Sequence, residues 1–236
     1  NNEAGADTIS VSAFSGTTFP SLTINGGVGN DTVNLSGSIT FAAGASLDLD
    51  LQNDDATPGT DTVNLGAGAV INTTGAGAIT AKASRRVTMA AGAKFTTGDG
   101  GVTLEGNQQA VPTIGNFSGV RLDNATIQST GTGQLVLKGR GGEDAANGSN
   151  VGVSINSTSV VSTIGADITF QGRGGASTDF AGGIAVRSSS NVTTSGAGNI
   201  NLTGVAGPCT NTLSRTYGIY MDGAGTVTST GTGPAA

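Results

Sequence analysis

The chain has 236 residues, of which 41 are Gly and only 11% are charged, and it carries no His, no Trp and one Cys. Without His there is no imidazole for a Ser-His-Asp triad, a His metal site or acid–base work, and one Cys excludes an internal disulfide framework or a Cys-rich zinc site. A formal net charge of −6 with 10 Lys+Arg lacks the basic stripe that phosphates require, so no nucleic-acid partner is expected, and no apolar run is long enough to predict a transmembrane segment.

Along the chain an apolar–any–apolar triplet recurs: Ile9-Ser10-Val11, Val33-Asn34-Leu35, Val63-Asn64-Leu65, Val87-Thr88-Met89, Val120-Arg121-Leu122, Val153-Ser154-Ile155, Ile184-Ala185-Val186 and Ile219-Tyr220-Met221. The steps between triplets are 24, 30, 24, 33, 33, 31 and 35 residues. Each triplet is followed by a second apolar position and then a third segment. In the fifth to seventh units these third segments are Leu135-Val-Leu137-Lys-Gly139, Ile168-Thr-Phe170-Gln-Gly172 and Ile200-Asn-Leu202-Thr-Gly204. Every segment alternates apolar and polar, the period of a half-buried strand, and Gly, Ser, Thr and Asn break any helical pattern. One such unit cannot bury its own apolar edge, but stacked units bury a continuous core. The expected fold is therefore all-β: a right-handed parallel β-helix of about eight coils of 24–35 residues with three short strands each. It forms a single domain over residues 1–236, read as a segment of a longer solenoid or as a self-stacking unit, because the last unit stops after two segments. Longer lateral loops are expected at 106–118, 140–150, 173–182 and 205–217.

The stretches Ser129-Thr-Gly-Thr-Gly133 with Leu135-Val-Leu-Lys-Gly139, and Val192-Thr-Thr-Ser-Gly-Ala-Gly-Asn-Ile200-Asn-Leu-Thr-Gly204, resemble the β-strand repeats of filamentous-haemagglutinin-like and autotransporter-like bacterial surface proteins. The resemblance covers units two to eight. It implies a right-handed β-helix displayed outside the cell as a fibre, adhesin or matrix element, without catalytic residues.

Several residue groups are candidates for chemistry. Gly26-Gly27-Val28-Gly29-Asn30-Asp31-Thr32-Val33-Asn34 fits the nonapeptide of calcium-binding β-rolls, and Asp-Thr-apolar recurs at Asp7 and Asp61. Stacked Asp7, Asp31 and Asp61 would form either a turn-capping ladder closed by an Arg85–Asp61 ion pair or a calcium site; no other cofactor is expected. Asp48, Asp50, Asp54 and Asp55 read as a solvated edge, with a second cation site as the alternative. Asp123, Asn156, Arg187 and Asp222 form one column after the first strand of units five to eight, where Arg187–Asp222 reads as a surface ion pair. The two carboxylates stand three coils apart, about 14 Å, too far for the acid–base pair of a glycosidase, so the chain is not expected to be an enzyme. Arg140 and Arg173 lie one coil apart where long loops begin, and with Tyr217 and Tyr220 they are candidate ligand or interface residues. Tyr220 is expected to point outward near Phe180. Cys209 reads as an exposed bystander, and a Thr/Ser column in the second segments raises an ice-binding face as an alternative. The expected function is an extracellular structural or adhesive element at a bacterial surface. Its expected partners are copies of itself or adjoining coils, and a surface polysaccharide.

Overall fold

The computed structural model describes residues 5–13, 18–52, 59–211 and 216–231. Asp54 and Asp55, and residues 212–215 of the last expected loop, lie outside the described residues. Every regular element among the described residues is a strand, and none is a helix long and apolar enough to cross a membrane.

The strands build three parallel sheets that run the length of a β-helix, with eight strands in the first sheet and seven in each of the other two. The first sheet starts at Thr8–Val11 and ends at Ile219–Met221. All eight sequence triplets lie in it, and the register matches every step: Ile9 pairs with Val33, Val33 with Val63, Val63 with Val87, Val87 with Val120, Val120 with Val153, Val153 with Ile184 and Ile184 with Ile219. The number of complete three-strand coils is six, from the coil opening at Thr32–Leu35 to the one closing at Ile200–Val205. This is fewer than the expected eight. Coil one has two strands and an isolated Phe19–Phe41 bridge in place of the middle one, and coil eight has two strands among the described residues.

Alternation sets the core. In coil six, Val153 and Ile155 of the first sheet, Val161 of the second and Ile168 and Phe170 of the third are all fully buried, and the same positions recur up and down the stack. Removing these aliphatic faces from water supplies the main drive for stacking, at about 25 cal/mol per Å². The backbone groups of one coil are satisfied by the next, which a closed stack demands because buried N–H and C=O groups cannot be left unpaired.

A column of small polar residues also points inward, at the corner after the second sheet. Thr73, Thr97, Ser129, Thr163 and Thr194 are each buried. The Thr163 hydroxyl donates to the Ala166 carbonyl at 2.6 Å and lies 2.8 Å from the Thr194 hydroxyl, which meets the same carbonyl at 3.0 Å. These are the inward members of the Thr/Ser pairs that raised an ice-binding face as an alternative; the other members, Thr74, Thr96, Thr130, Ser162, Thr193 and Thr228, are half-buried or exposed. Thr97 alone in the column has a hydroxyl with no partner. Thr97→Val is thus expected to be neutral or to stabilise by up to about 1 kcal/mol, and Thr163→Val to destabilise by about 1–2 kcal/mol. Urea unfolding midpoints of the two variants check this pair.

Candidate functional site

The aspartate ladder is built as a cap. Asp31 Oδ1 accepts the backbone N–H of Asp7 at 2.9 Å, Asp61 Oδ1 accepts that of Asp31 at 2.7 Å, and the Ser84 hydroxyl accepts that of Asp61 at 2.9 Å. Ser84 in turn donates toward Asp61 Oδ2 at 2.6 Å. Asp31 and Asp61 are buried and Asp7 is exposed. Arg85 stands at the expected register place beside Asp61, but its guanidinium lies over the Phe117 ring, 5.3 Å from the centroid. The group that closes the ladder is therefore Ser84, whose short side chain fits beneath the carboxylate. No group of three His, Cys, Asp or Glu among the described residues is placed to hold a metal ion.

Asp48 and Asp50 face outward on the third sheet, as alternation requires. Asp50 is not merely solvated: register places Lys82 beside it, then Glu105, then Lys138, with ion pairs Lys82–Asp50 at 3.9 Å and Lys138–Glu105 at 2.9 Å. Sign alternates from coil to coil, so each charge meets its opposite along the axis. These half-exposed pairs contribute under about 1 kcal/mol each.

The loops at 140–150 and 173–182 lean beside the outer face of the first sheet. Asn150, fully buried, accepts the Phe117 N–H through its side-chain oxygen at 3.0 Å, and its own N–H donates to the Phe180 carbonyl at 3.0 Å. Cys209 carries a free, half-buried thiol, and its backbone bridges to Ser177. Phe180, Tyr217 and Tyr220 form one aromatic cluster with centroids 5.1–6.1 Å apart. Tyr220 points outward as expected, yet it packs with Val151, Phe180 and Ala185 in a small satellite core. Arg173 registers beside Arg140, again as expected, but Arg140 is held by Glu143 at 2.6 Å while Arg173 stays exposed.

Between these loops and the first sheet lies a polar trough of about 400 Å³, lined by Ser118, Arg121, Asp123, Ser149, Val151, Ser154, Asn156, Ser157, Arg187 and Ser188. A second cavity of about 290 Å³, lined by Arg86, Thr88, Met89, Ala90, Arg121 and Asp123, shares Arg121 and Asp123 with it. The two adjoin at the Arg121–Asp123 ion pair and together reach from coil four to coil seven. They contain three members of the column singled out in the sequence, Asp123, Asn156 and Arg187. Asp123 is gripped by Arg121 at 2.6 Å. Arg187 makes no ion pair with Asp222; its guanidinium lies 4.1 Å over the Phe180 ring and 5.2 Å from the Tyr220 centroid. Asp222 Oδ1 accepts the backbone N–H of Ser188 at 3.2 Å, and its charge still acts on the Arg187 guanidinium without direct contact.

Electrostatics set Arg187 and Arg86 apart. Burial pushes the Arg187 pKa below the ordinary arginine value, with Asp222 and then Tyr220 pulling the other way. Burial also lowers Arg86, and the like charges of Arg85 and Arg121 add to it. Both remain cations at neutral pH, as guanidinium groups do. The Nε atoms of both are buried without a hydrogen-bond partner.

Backbone strain gathers at the same place. Ser157 and Thr158, and Ser188 and Ser189, hold positive φ between 53° and 62°. The corresponding corners of coils three and four use Gly68 and Gly92, that of coil five uses Asn124, and that of coil eight uses Gly223 and Ala224. Non-glycine residues in this region cost about 1–2 kcal/mol each, and such outliers cluster at functional sites. Here they carry hydroxyls of Ser157 and Ser188 to the trough wall. Arg86, Arg121 and the serines were missed by sequence reasoning. Their signal was available in the outward places beside each triplet, but which loop covers them was not.

Comparison with protein-family models, with curated proteins and with solved structures gives no match.

Proposed function

We propose that the chain is a structural and adhesive element displayed outside the cell at a bacterial surface, and that it adheres through the first-sheet trough to an extended polysaccharide. The observation that carries this reading is the trough itself: a depression of ligand size, open along a rigid rod, walled by Ser, Asn and Arg side chains. Hydroxyl and amide groups suit a ligand that both donates and accepts along its length. The sheet that forms the floor is held by register on both sides, so no backbone has to be ordered on binding and the cost is that of the side chains alone. A binding role in place of turnover is supported by the carboxylates: Asp123 is the one carboxylate that lines the trough, and Arg121 holds it. Acid–base cleavage of a glycoside needs two.

The test is affinity electrophoresis of the purified chain against a panel of acidic and neutral polysaccharides, with Asn156→Trp as the blocking variant. Retardation by at least one polysaccharide, lost in Asn156→Trp while the melting curve is kept, is expected. Undiminished retardation of the variant would move the site elsewhere, and no retardation by any polysaccharide would remove the adhesive reading.

A further inference from the structure

We infer that the trough selects a polysaccharide bearing carboxylate groups, with Arg86 and Arg187 as its two end subsites; this rests on the trough being the adhesive surface. This acidic chain pairs its cations unevenly between its faces. On the third sheet Lys82 and Lys138 are paired with carboxylates, and Arg140 is paired at its exit. On the outer face of the first sheet three guanidinium groups, Arg86, Arg121 and Arg187, line the trough with a single carboxylate, Asp123, and it is engaged by Arg121. Arg86 and Arg187 stand at opposite corners, three coils apart along the axis and four residues apart along the strand direction, a diagonal of roughly 19 Å.

Each end group is half-buried; its Nε is buried without a partner, as is that of Arg140, so an incoming ligand meets the terminal N–H groups of the fork. A desolvated cation with an unused donor is unfavourable unless an acceptor arrives. The aromatic rings under Arg187 hold its plane in place but offer no lone pair to its N–H groups. A carboxylate fits that requirement, because the planar guanidinium fork gives it two parallel hydrogen bonds. Two such subsites on one diagonal of a rigid sheet call for an extended ligand with repeated anionic groups. The hydroxyls of Ser118, Ser149, Ser154, Ser157 and Ser188 between and around them match the hydroxyls of sugar rings, which a bare polyphosphate lacks.

The experiment measures binding of polygalacturonate oligomers, a sulfated glycan, DNA and neutral dextran by titration calorimetry, using the full chain and Arg187→Gln, Arg187→Lys and Arg86→Gln. Polygalacturonate is expected to bind most tightly, with affinity that falls as salt rises. Either Gln variant is expected to weaken it about tenfold or more, the range of a lost charge-assisted hydrogen bond, and Arg187→Lys to weaken it less. Unchanged polygalacturonate affinity in both Gln variants overturns the proposal, as does tighter binding of the sulfated glycan or of DNA. Dextran bound as tightly as polygalacturonate overturns charge selection alone and leaves the trough as a neutral-sugar site. Absence of all glycan binding removes the adhesive reading along with it. Should Arg187→Gln fail to fold, Arg86→Gln at the other end carries the same test.

Discussion

Gly172→Ala is expected to destabilise the protein by about 3 kcal/mol or more, the upper range for overpacking, because the new methyl has nowhere to go. An added Cβ would lie 2.0 Å from the Gly183 carbonyl oxygen and 2.6 Å from its carbon. That oxygen is not free to retreat, since it accepts the Val153 N–H at 3.0 Å as part of the bonding between coils six and seven. The same approach repeats at Gly106 on Gly119, Gly139 on Gly152 and Gly204 on Gly218, each with a Cβ-to-oxygen distance of 2.0 Å. Two glycine columns therefore face each other where the third strand of one coil passes the first strand of the next, on either side of the long loop. The control is Gly165→Ala, at φ +83° with open space around the site, expected to cost only about 1–2 kcal/mol for the left-handed backbone. Urea midpoints of the two variants measure the difference. Equal small shifts would mean that the glycine columns are not a rigid contact.

Those columns show what was legible in the sequence and why. In units five to seven the Gly closing the third segment, and in units five to eight the Gly before the first triplet, were visible in the sequence, and counting between the eight triplets yields the observed register at every step. Alternation made this possible, because a one-residue slip would turn every apolar side chain outward. The charge ladder was legible in principle. Asp50, Lys82, Glu105 and Lys138 hold the same place in LDLDL, ITAKA, VTLEG and LVLKGR. Only the register connects them, and reading Asp50 by itself hid its partner. The trough was legible by half. Asp123, Asn156 and Arg187 were placed in one column by counting, but no period tells which way an arginine turns. Arg187 turned to Phe180, which is on a loop, and Arg85 to Phe117, also on a loop. Loop aromatics compete with carboxylates for a guanidinium, and loop paths follow no repeat. For the same reason the cap on Asp61 came from Ser84, one residue off the counted place.

Asp61→Ala is expected to lower stability by about 3 kcal/mol, whereas Asp61→Asn should lower it by about 1 kcal/mol or less. Asp61 is 1% exposed, so what its carboxylate satisfies has no water to turn to. Alanine strands the Asp31 N–H, bonded to Oδ1 at 2.7 Å, and takes away the acceptor that Ser84 meets at 2.6 Å. A hydrogen bond to a charged group is worth about 1.5–3 kcal/mol, and a buried donor left unpaired adds its desolvation cost. Asparagine keeps an oxygen for the Asp31 N–H, and its amide can donate to the Ser84 oxygen once that hydroxyl turns wholly to the Gly59 carbonyl, which it already meets at 2.7 Å. The contrast separates two roles for the carboxylate. If the ladder works by hydrogen bonding, geometry is what matters and asparagine is nearly enough. If the negative charge itself were needed, as for a bound cation, the two variants would fall together. Thermal melts of both proteins, each run with and without added calcium, read the difference directly. An Asn variant as damaged as the Ala variant, with a melting point for the parent chain that rises on calcium addition, would overturn the capping assignment.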